Sequence, residues 1–383
     1  MPTVEELHTE AMDWAEEAFL AQKRGNEAEA NKLFIKALKL EQEAAELLPL
    51  SEDSEPTRSI LYRSAAAVAF HSGDYEVADR LIANGLSGYP PIEIKEELKN
   101  LYEDINFMRH LSTKGLTLDR NQWLMSLYGN ATQYGGTAAE YLMSRVDRIS
   151  SLFYRTVERL LKIPYRIKGG IKKEIKDTYG LYISAFMPRS FAVSFQIGRP
   201  NPQLPLFPER ENTESIEASV IVDEIMECFE IFESNDPSKL KERFNDDNYY
   251  ENFIGLAKQI SPDGDNIKMV GFTSIRDGKE RPIVLRKSHQ QLRESKELSD
   301  KDTIDEKKTK VSYTGILMHA NTPLKGKFGT VKLTEVDTRV VHNIKVPISL
   351  MKDVVQPFYE ECVVIHGYEK DDKKFLEEIN IES

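Results

Sequence analysis

The feature that most constrains this chain is an internal echo near its start. Shifting residues 14–37 forward by 48 positions sets Trp14 on Tyr62, Ala18 on Ala66, Ala21 on Ala69, Gly25 on Gly73, Ala30 on Ala78 and Ala37 on Gly85. Small residues at those intervals let two antiparallel helices approach closely, an aromatic fills the gap beside them, and a glycine supplies the turn. Apolar and small residues recur at helical spacing from Val4 to Leu48, through Leu7, Met12, Trp14, Ala18, Phe34 and Leu38. The spacing predicts a helix, a turn at Gly25 and a second helix that stops at Pro49. A second hairpin turns at Gly73 within "HSGDYEVADRLIANGLSGYPP". A closing helix follows the prolines, with Ile94, Leu98, Leu101, Ile105 and Met108 on one face.

In the second hairpin Tyr62, Ala66, Gly73, Asp74, Tyr75, Ala78 and Pro90 sit at the spacing of the tetratricopeptide repeat family, which the segment resembles. The first hairpin keeps Trp14, Ala18, Gly25, Ala30 and Ala37. The pattern departs from the family where Glu17 and Ala65 replace leucine, Ala21 and Ala69 replace tyrosine, and Gly85 replaces alanine. Its 48-residue offset also exceeds the family's repeat of about 34. The resemblance implies an all-α, tetratricopeptide-like domain over residues 1–111 that holds a protein partner. The same helices also suit a plain scaffold for the next domain.

The chain has 383 residues, 40% hydrophobic and 30% charged, which suits two or three soluble globular domains. No run of 18 apolar residues exists, so no membrane span is expected. The acidic, amphipathic start lacks the basic and apolar regions of a secretory signal. Cys228 and Cys362 are the only cysteines, which excludes a disulfide framework and a cysteine-rich zinc site. A cytoplasmic location is expected.

The net charge of −12 is unevenly spread. Residues 1–111 carry 11 basic and 22 acidic side chains, residues 112–200 carry 14 and 6, and residues 201–265 carry 5 and 16. A basic middle between acidic blocks marks a partner surface, or blocks that neutralise one another inside the fold.

Residues 112–287 read as one α+β domain. Trp123, Met125 and Leu127 alternate as in a strand, and residues 137–162 form a strong amphipathic helix. Two strands hinged near Met187 and Pro188 precede a proline-rich connector. An acidic helix, a second helix and a hairpin turning at Asp277-Gly278 follow. Arg155, Arg159, Lys162, Arg166, Lys168, Lys172, Lys173 and Lys176 cluster between the long helix and the strands. Arg155, Arg159 and Lys162 fall at i, i+4 and i+7, on one predicted helix face, with Tyr154, Tyr165, Tyr179 and Tyr182 interleaved. Cations beside aromatics suit phosphate attraction plus base stacking. Gly169-Gly170 would let backbone amides approach an anion, although neither a Walker loop nor a dinucleotide fingerprint is present. A solvated or internally docked basic face is the other possibility.

Residues 288–309 read as a charged, flexible linker. Residues 310–383 have the order β-β-β-α-β-β, which resembles an OB-fold, a small five-stranded β-barrel. That likeness implies oligonucleotide binding as a second possibility, with Lys325, Lys327 and Lys332 as phosphate candidates. The seven histidines, His8, His71, His110, His289, His319, His342 and His366, show no metal spacing. No nucleophile elbow or calcium loop occurs. No catalytic, cofactor-binding or metal-binding residue is therefore nominated. The expectation is a multidomain, non-enzymatic adaptor or regulator that binds a protein partner, with a nucleic-acid-associated factor as the alternative.

Overall fold

The structure, a computed structural model, describes residues 2–24, 26–111, 118–135, 137–187, 191–198, 215–293, 309–323 and 326–381. The chain divides into two compact units, Met1–His110 and Leu111–Ser383.

The first unit is helical: α1 (Val4–Lys23), α2 (Glu27–Glu46), α3 (Thr57–His71), α4 (Tyr75–Leu86) and α5 (Ile92–Leu111), the last running on to Leu111. Each hairpin opens its second helix with a side-chain cap. Asn26 accepts from the Glu29 amide and Asp74 from the Val77 amide, one cap lying 48 residues beyond the other. Backbone bonds repeat at the same offset. Arg24 N–H reaches Leu20 O and Asn26 N–H reaches Ala21 O, while Ser72 N–H reaches Val68 O and Asp74 N–H reaches Ala69 O. The bonds flanking the two turns therefore match at this offset. Gly73 takes φ +80° with open space around it, as a turn glycine should. Gly25, its expected counterpart, lies outside the described residues.

Ala18, Ala37, Ala66, Ala69 and Ala78 are fully buried, and Ala30 and Ala21 nearly so. Gly85 is equally confined: a Cβ there would lie 2.9 Å from Leu98 Cδ1 and 3.2 Å from Tyr62 Cβ. Small side chains thus set how closely α3, α4 and α5 pack. Tyr62 is buried, whereas Trp14, Tyr75 and Pro90 are half-buried.

The second unit holds two sheets. The first has the order β2-β3-β1-β4-β5, all antiparallel, from β1 (Gln122–Tyr128), β2 (Leu181–Met187), β3 (Phe191–Ile197), β4 (Met269–Arg276) and β5 (Lys279–Leu285). The alternation read at Trp123, Met125 and Leu127 is that of a central strand paired on both sides. Helices α6 (Ala139–Leu160), α8 (Ala218–Glu233) and α10 (Asp247–Ile260) share one core with this sheet through Phe153, Phe229, Phe253 and Phe272. Two short helices, α7 (Lys173–Thr178) and α9 (Pro237–Glu242), have no counterpart in the sequence reading. Their six residues each are too few for periodicity to register.

The second sheet comprises β6 (Thr309–Asn321), β7 (Phe328–Thr334), β8 (Val341–Pro347), β9 (Cys362–Lys370) and β10 (Lys373–Ile381). Each strand has two partners, in the order β10-β8-β7-β6-β9, and β9 pairs back with β10. The β10–β8 seam is parallel and short, Lys374 opposite Ile344 and Phe375 opposite Lys345. Between β8 and β9 runs a helical segment, residues 348–358, whose middle turn, Met351–Val355, is π-helical. A helix-plus-sheet, multidomain layout is what the chain adopts.

Two expectations change. Residues 288–309 are not wholly linker, because 289–293 form a helical turn and Leu292 is buried in the core. Residues 294–308, the connector after β3 and Pro188 lie outside the described residues. Lys162 does not share a helix face with Arg155 and Arg159, since α6 ends at Leu160 and Lys162 takes φ 57°.

Candidate functional site

In the first unit, rings from four helices form one cluster. Phe19 (α1) meets Phe34 (α2) and His71 (α3) edge-on at 5.0 and 4.9 Å. His71 stacks on Phe34 at 5.7 Å, and Phe70 links it to Tyr75 of α4 at 5.8 Å. Phe34 is buried, but Phe19 is 44% exposed and His71 is exposed. The sequence reading missed this cluster, because its rings come from four different helices that only the fold brings together. Along α1 the side chains of Glu5, Glu6, Glu10, Asp13, Glu16 and Glu17 are all exposed. Inside, burial pushes the Glu41 carboxyl up, while His8, 2.9 Å away, pulls it back down.

The basic stretch of the second unit separates into two groups. Arg155 is buried, with Nε 2.7 Å from Asp353, Nη1 3.3 Å from Glu158 and its guanidinium 4.3 Å over the Tyr165 ring. Arg159 donates to Glu224 at 2.6 Å and to the Arg243 carbonyl at 2.8 Å. Arg166 donates to Glu158 and to the Gly169 carbonyl, both at 2.7 Å. These arginines face inward and bind carboxylates. Lys162, Lys168, Lys172, Lys173 and Lys176 are exposed.

The interleaved tyrosines divide likewise. Tyr165 donates to the Ser349 carbonyl at 2.6 Å, Tyr179 is buried and accepts from the Ile216 amide, and Tyr182 is exposed. At Gly169 the carbonyl accepts from Arg166 and from Lys352.

Asp353 is the hub of this network. It accepts from Arg155 and from Asn252 Nδ2, while Asn252 also donates to the Ser349 carbonyl at 2.9 Å. The network ties α6 and α10 to the segment between β8 and β9. Burial alone would lower Arg155, but Tyr165, Asp353 and Glu158 hold it above its ordinary value. Burial would likewise raise Glu224, yet hydrogen bonds from Arg243 and Arg159 hold it below the usual carboxylate range. Burial and the neighbouring Glu224 push the Cys228 thiol up to about 12, which makes it a poor nucleophile. Asp353, Asn252 and Glu224 could not be singled out from sequence, because Glu224 lies 65 positions from Arg159, Asn252 97 from Ser349 and Asp353 198 from Arg155.

In the curled sheet, His342 lies between Glu335 (Nε2 to Oε1 2.7 Å) and Lys374 (Nζ to Nδ1 2.7 Å). Nε2–H donates to the Glu335 carboxylate, Nδ1 accepts from the Lys374 ammonium, and Lys374 sits 4.4 Å over the Tyr313 ring. His319 is exposed, and His366 lies opposite Glu378. Among the described residues no three His, Cys, Asp or Glu side chains are arranged to hold a metal ion. Lys327 and Lys332 are exposed, and Lys325 lies outside the described residues. No helix among the described residues is long and apolar enough to cross a membrane. Comparison of the chain with known protein families, curated proteins and solved structures gave no match.

Proposed function

We propose that this chain is a non-enzymatic adaptor that binds a protein partner through a tetratricopeptide-like pair of N-terminal hairpins. The observation that carries this is the aromatic cluster drawn from α1, α2, α3 and α4, exposed through Phe19 and His71. A half-exposed ring set on rigid helices is the kind of anchor that protein interfaces use. Further support comes from the matching bonds that flank the two turns and from the buried small residues. The exposed carboxylates along α1 favour a basic partner surface. The test is capture from a cell lysate by the full chain, compared with Phe19→Ala and His71→Ala chains of equal thermal stability. A partner held equally well by all three overturns the role of the cluster.

A second reading, contact with single-stranded nucleic acid, keeps one specific support. What supports it is the strand order of the five-stranded module, which is compatible with an OB-like reading: three antiparallel strands, a helical segment, and a last strand running parallel to the third. On its β7, β8 and β10 strands Phe328, Lys345 and Phe375 lie close together. Changing Lys168, Lys172, Lys173 and Lys176 to glutamine removes exposed charge and leaves the buried arginines intact. On this reading oligonucleotide binding falls in that variant and with added salt; binding unaffected by both sinks it.

A further inference from the structure

We propose that Arg148, on α6, anchors a site for a small oxyanion, a carboxylate or phosphate group, beside the helical segment 348–358. Among the described residues four arginines are buried: Arg58, Arg145, Arg148 and Arg155. Three of them have acceptors. Arg58 donates to the Asn84 carbonyl at 3.0 Å and lies 3.6 Å from Glu55. Arg145 donates to the Ile260 and Ser261 carbonyls, both at 3.2 Å, and lies 3.7 Å from Asp263. Arg155 has Asp353, Glu158 and the Arg166 carbonyl. Arg148 is only 8% exposed, yet among the described residues it makes neither a hydrogen bond nor an ion pair. Its guanidinium lies over the Phe358 ring, 5.1 Å from the centroid.

A buried guanidinium without an acceptor is costly, and a ring face offsets only part of that cost. The neighbouring carboxylates do not fill the gap. Asp147 is exposed, and Asp353 is held by Arg155 and Asn252. Burial outweighs both carboxylates and lowers Arg148 from its ordinary value. The described side-chain atoms that are sealed from solvent without a partner include Arg155 Nη2 but none of Arg148. The Arg148 N–H groups therefore still reach solvent. With one face of the guanidinium plane on Phe358, its N–H edge is what remains for a ligand. Two oxygens of one carboxylate or phosphate match that edge as a fork. A side chain this nearly covered meets a small ion rather than a folded surface.

The site is independent of the helical-partner reading. Titration calorimetry of the full chain at fixed ionic strength, with inorganic phosphate and with acetate in separate runs, tests it against Arg148→Met. The expected result is saturable binding of at least one probe, weakened about tenfold or more in Arg148→Met. The tighter probe then tells whether the ligand carries a phosphate or a carboxylate. Arg148→Met removes a charge without stranding a partner carboxylate, so the fold is retained. Saturating probe should raise the melting temperature of the parent chain and leave that of the variant unchanged. No saturable binding of either probe to the parent chain, or equal binding by both chains, overturns the proposal. So does a crystal structure grown with the probe in which Arg148 pairs with Asp353 instead.

Discussion

The two units are held together by different physics. In Met1–His110 the contacts that set geometry are small: fully buried alanines, and Gly85 pressed against Leu98 and Tyr62. In Leu111–Ser383 arginine–carboxylate pairs do comparable work: Arg155 with Asp353, Arg159 with Glu224, and Arg166 with Glu158. Close helix packing tolerates no added volume. A buried ion pair tolerates loss of both partners far better than loss of one. Each unit therefore has its own characteristic weakness.

Tryptophan offers a separate readout for each, since Trp14 and Trp123 are the chain's only two. The largest effect is expected from Asp353→Ala, which removes the 2.7 Å partner of the buried Arg155 Nε and leaves Glu158 as its one carboxylate. Urea unfolding followed through Trp123 should show a loss of about 3–5 kcal/mol, and pairing it with Arg155→Met should recover most of that. Failure of the double variant to recover would mean that Asp353 matters for more than neutralising Arg155.

Next comes Ala66→Leu, which forces extra methylenes into a fully buried position. A loss of about 1–3 kcal/mol should appear in the Trp14 transition. A silent substitution would show that the hairpins are loosely packed. Asn26→Ala and Asp74→Ala should each cost about 1 kcal/mol, and by similar amounts, because the two caps occupy equivalent positions. Unequal costs would break the equivalence of the hairpins.

The smallest effect expected is with pH, and the two units should respond with opposite sign. Burial holds His289 and His366 below the ordinary histidine value of 6.5. Their folded forms bind a proton less readily than the unfolded chain, so this contribution is complete above 6.5 and is lost as pH falls through it. Burial holds Glu41 above the ordinary 4.5 despite the lowering effect of His8. Its contribution is present at low pH and is lost as pH rises through the raised value. Thermal melts between pH 7.5 and pH 5.5 should therefore weaken the Trp123 transition relative to that of Trp14. A common shift in both would sink the assignment of these groups.

Much of the fold was legible because its determinants are local. The 48-residue echo marked two hairpins whose caps and turn bonds repeat at that offset. Alternation at Trp123, Met125 and Leu127 marked β1, and the apolar face of residues 137–162 marked α6. Sites were less legible. Eight basic residues in a short stretch read as one surface, yet Arg155, Arg159 and Arg166 turn inward to distant carboxylates and leave only lysines outside.

By itself, the sequence determined the long helices, the strands and the helical turn at Gly73, since periodicity, capping and glycine freedom act over a few residues. Only the tertiary structure decided which charges are buried and which rings gather at Phe19 and His71. Those outcomes depend on contacts between residues tens to hundreds of positions apart, such as Arg155 and Asp353, 198 positions apart. No local pattern records such pairings, because desolvation and Coulomb attraction act through space rather than along the chain.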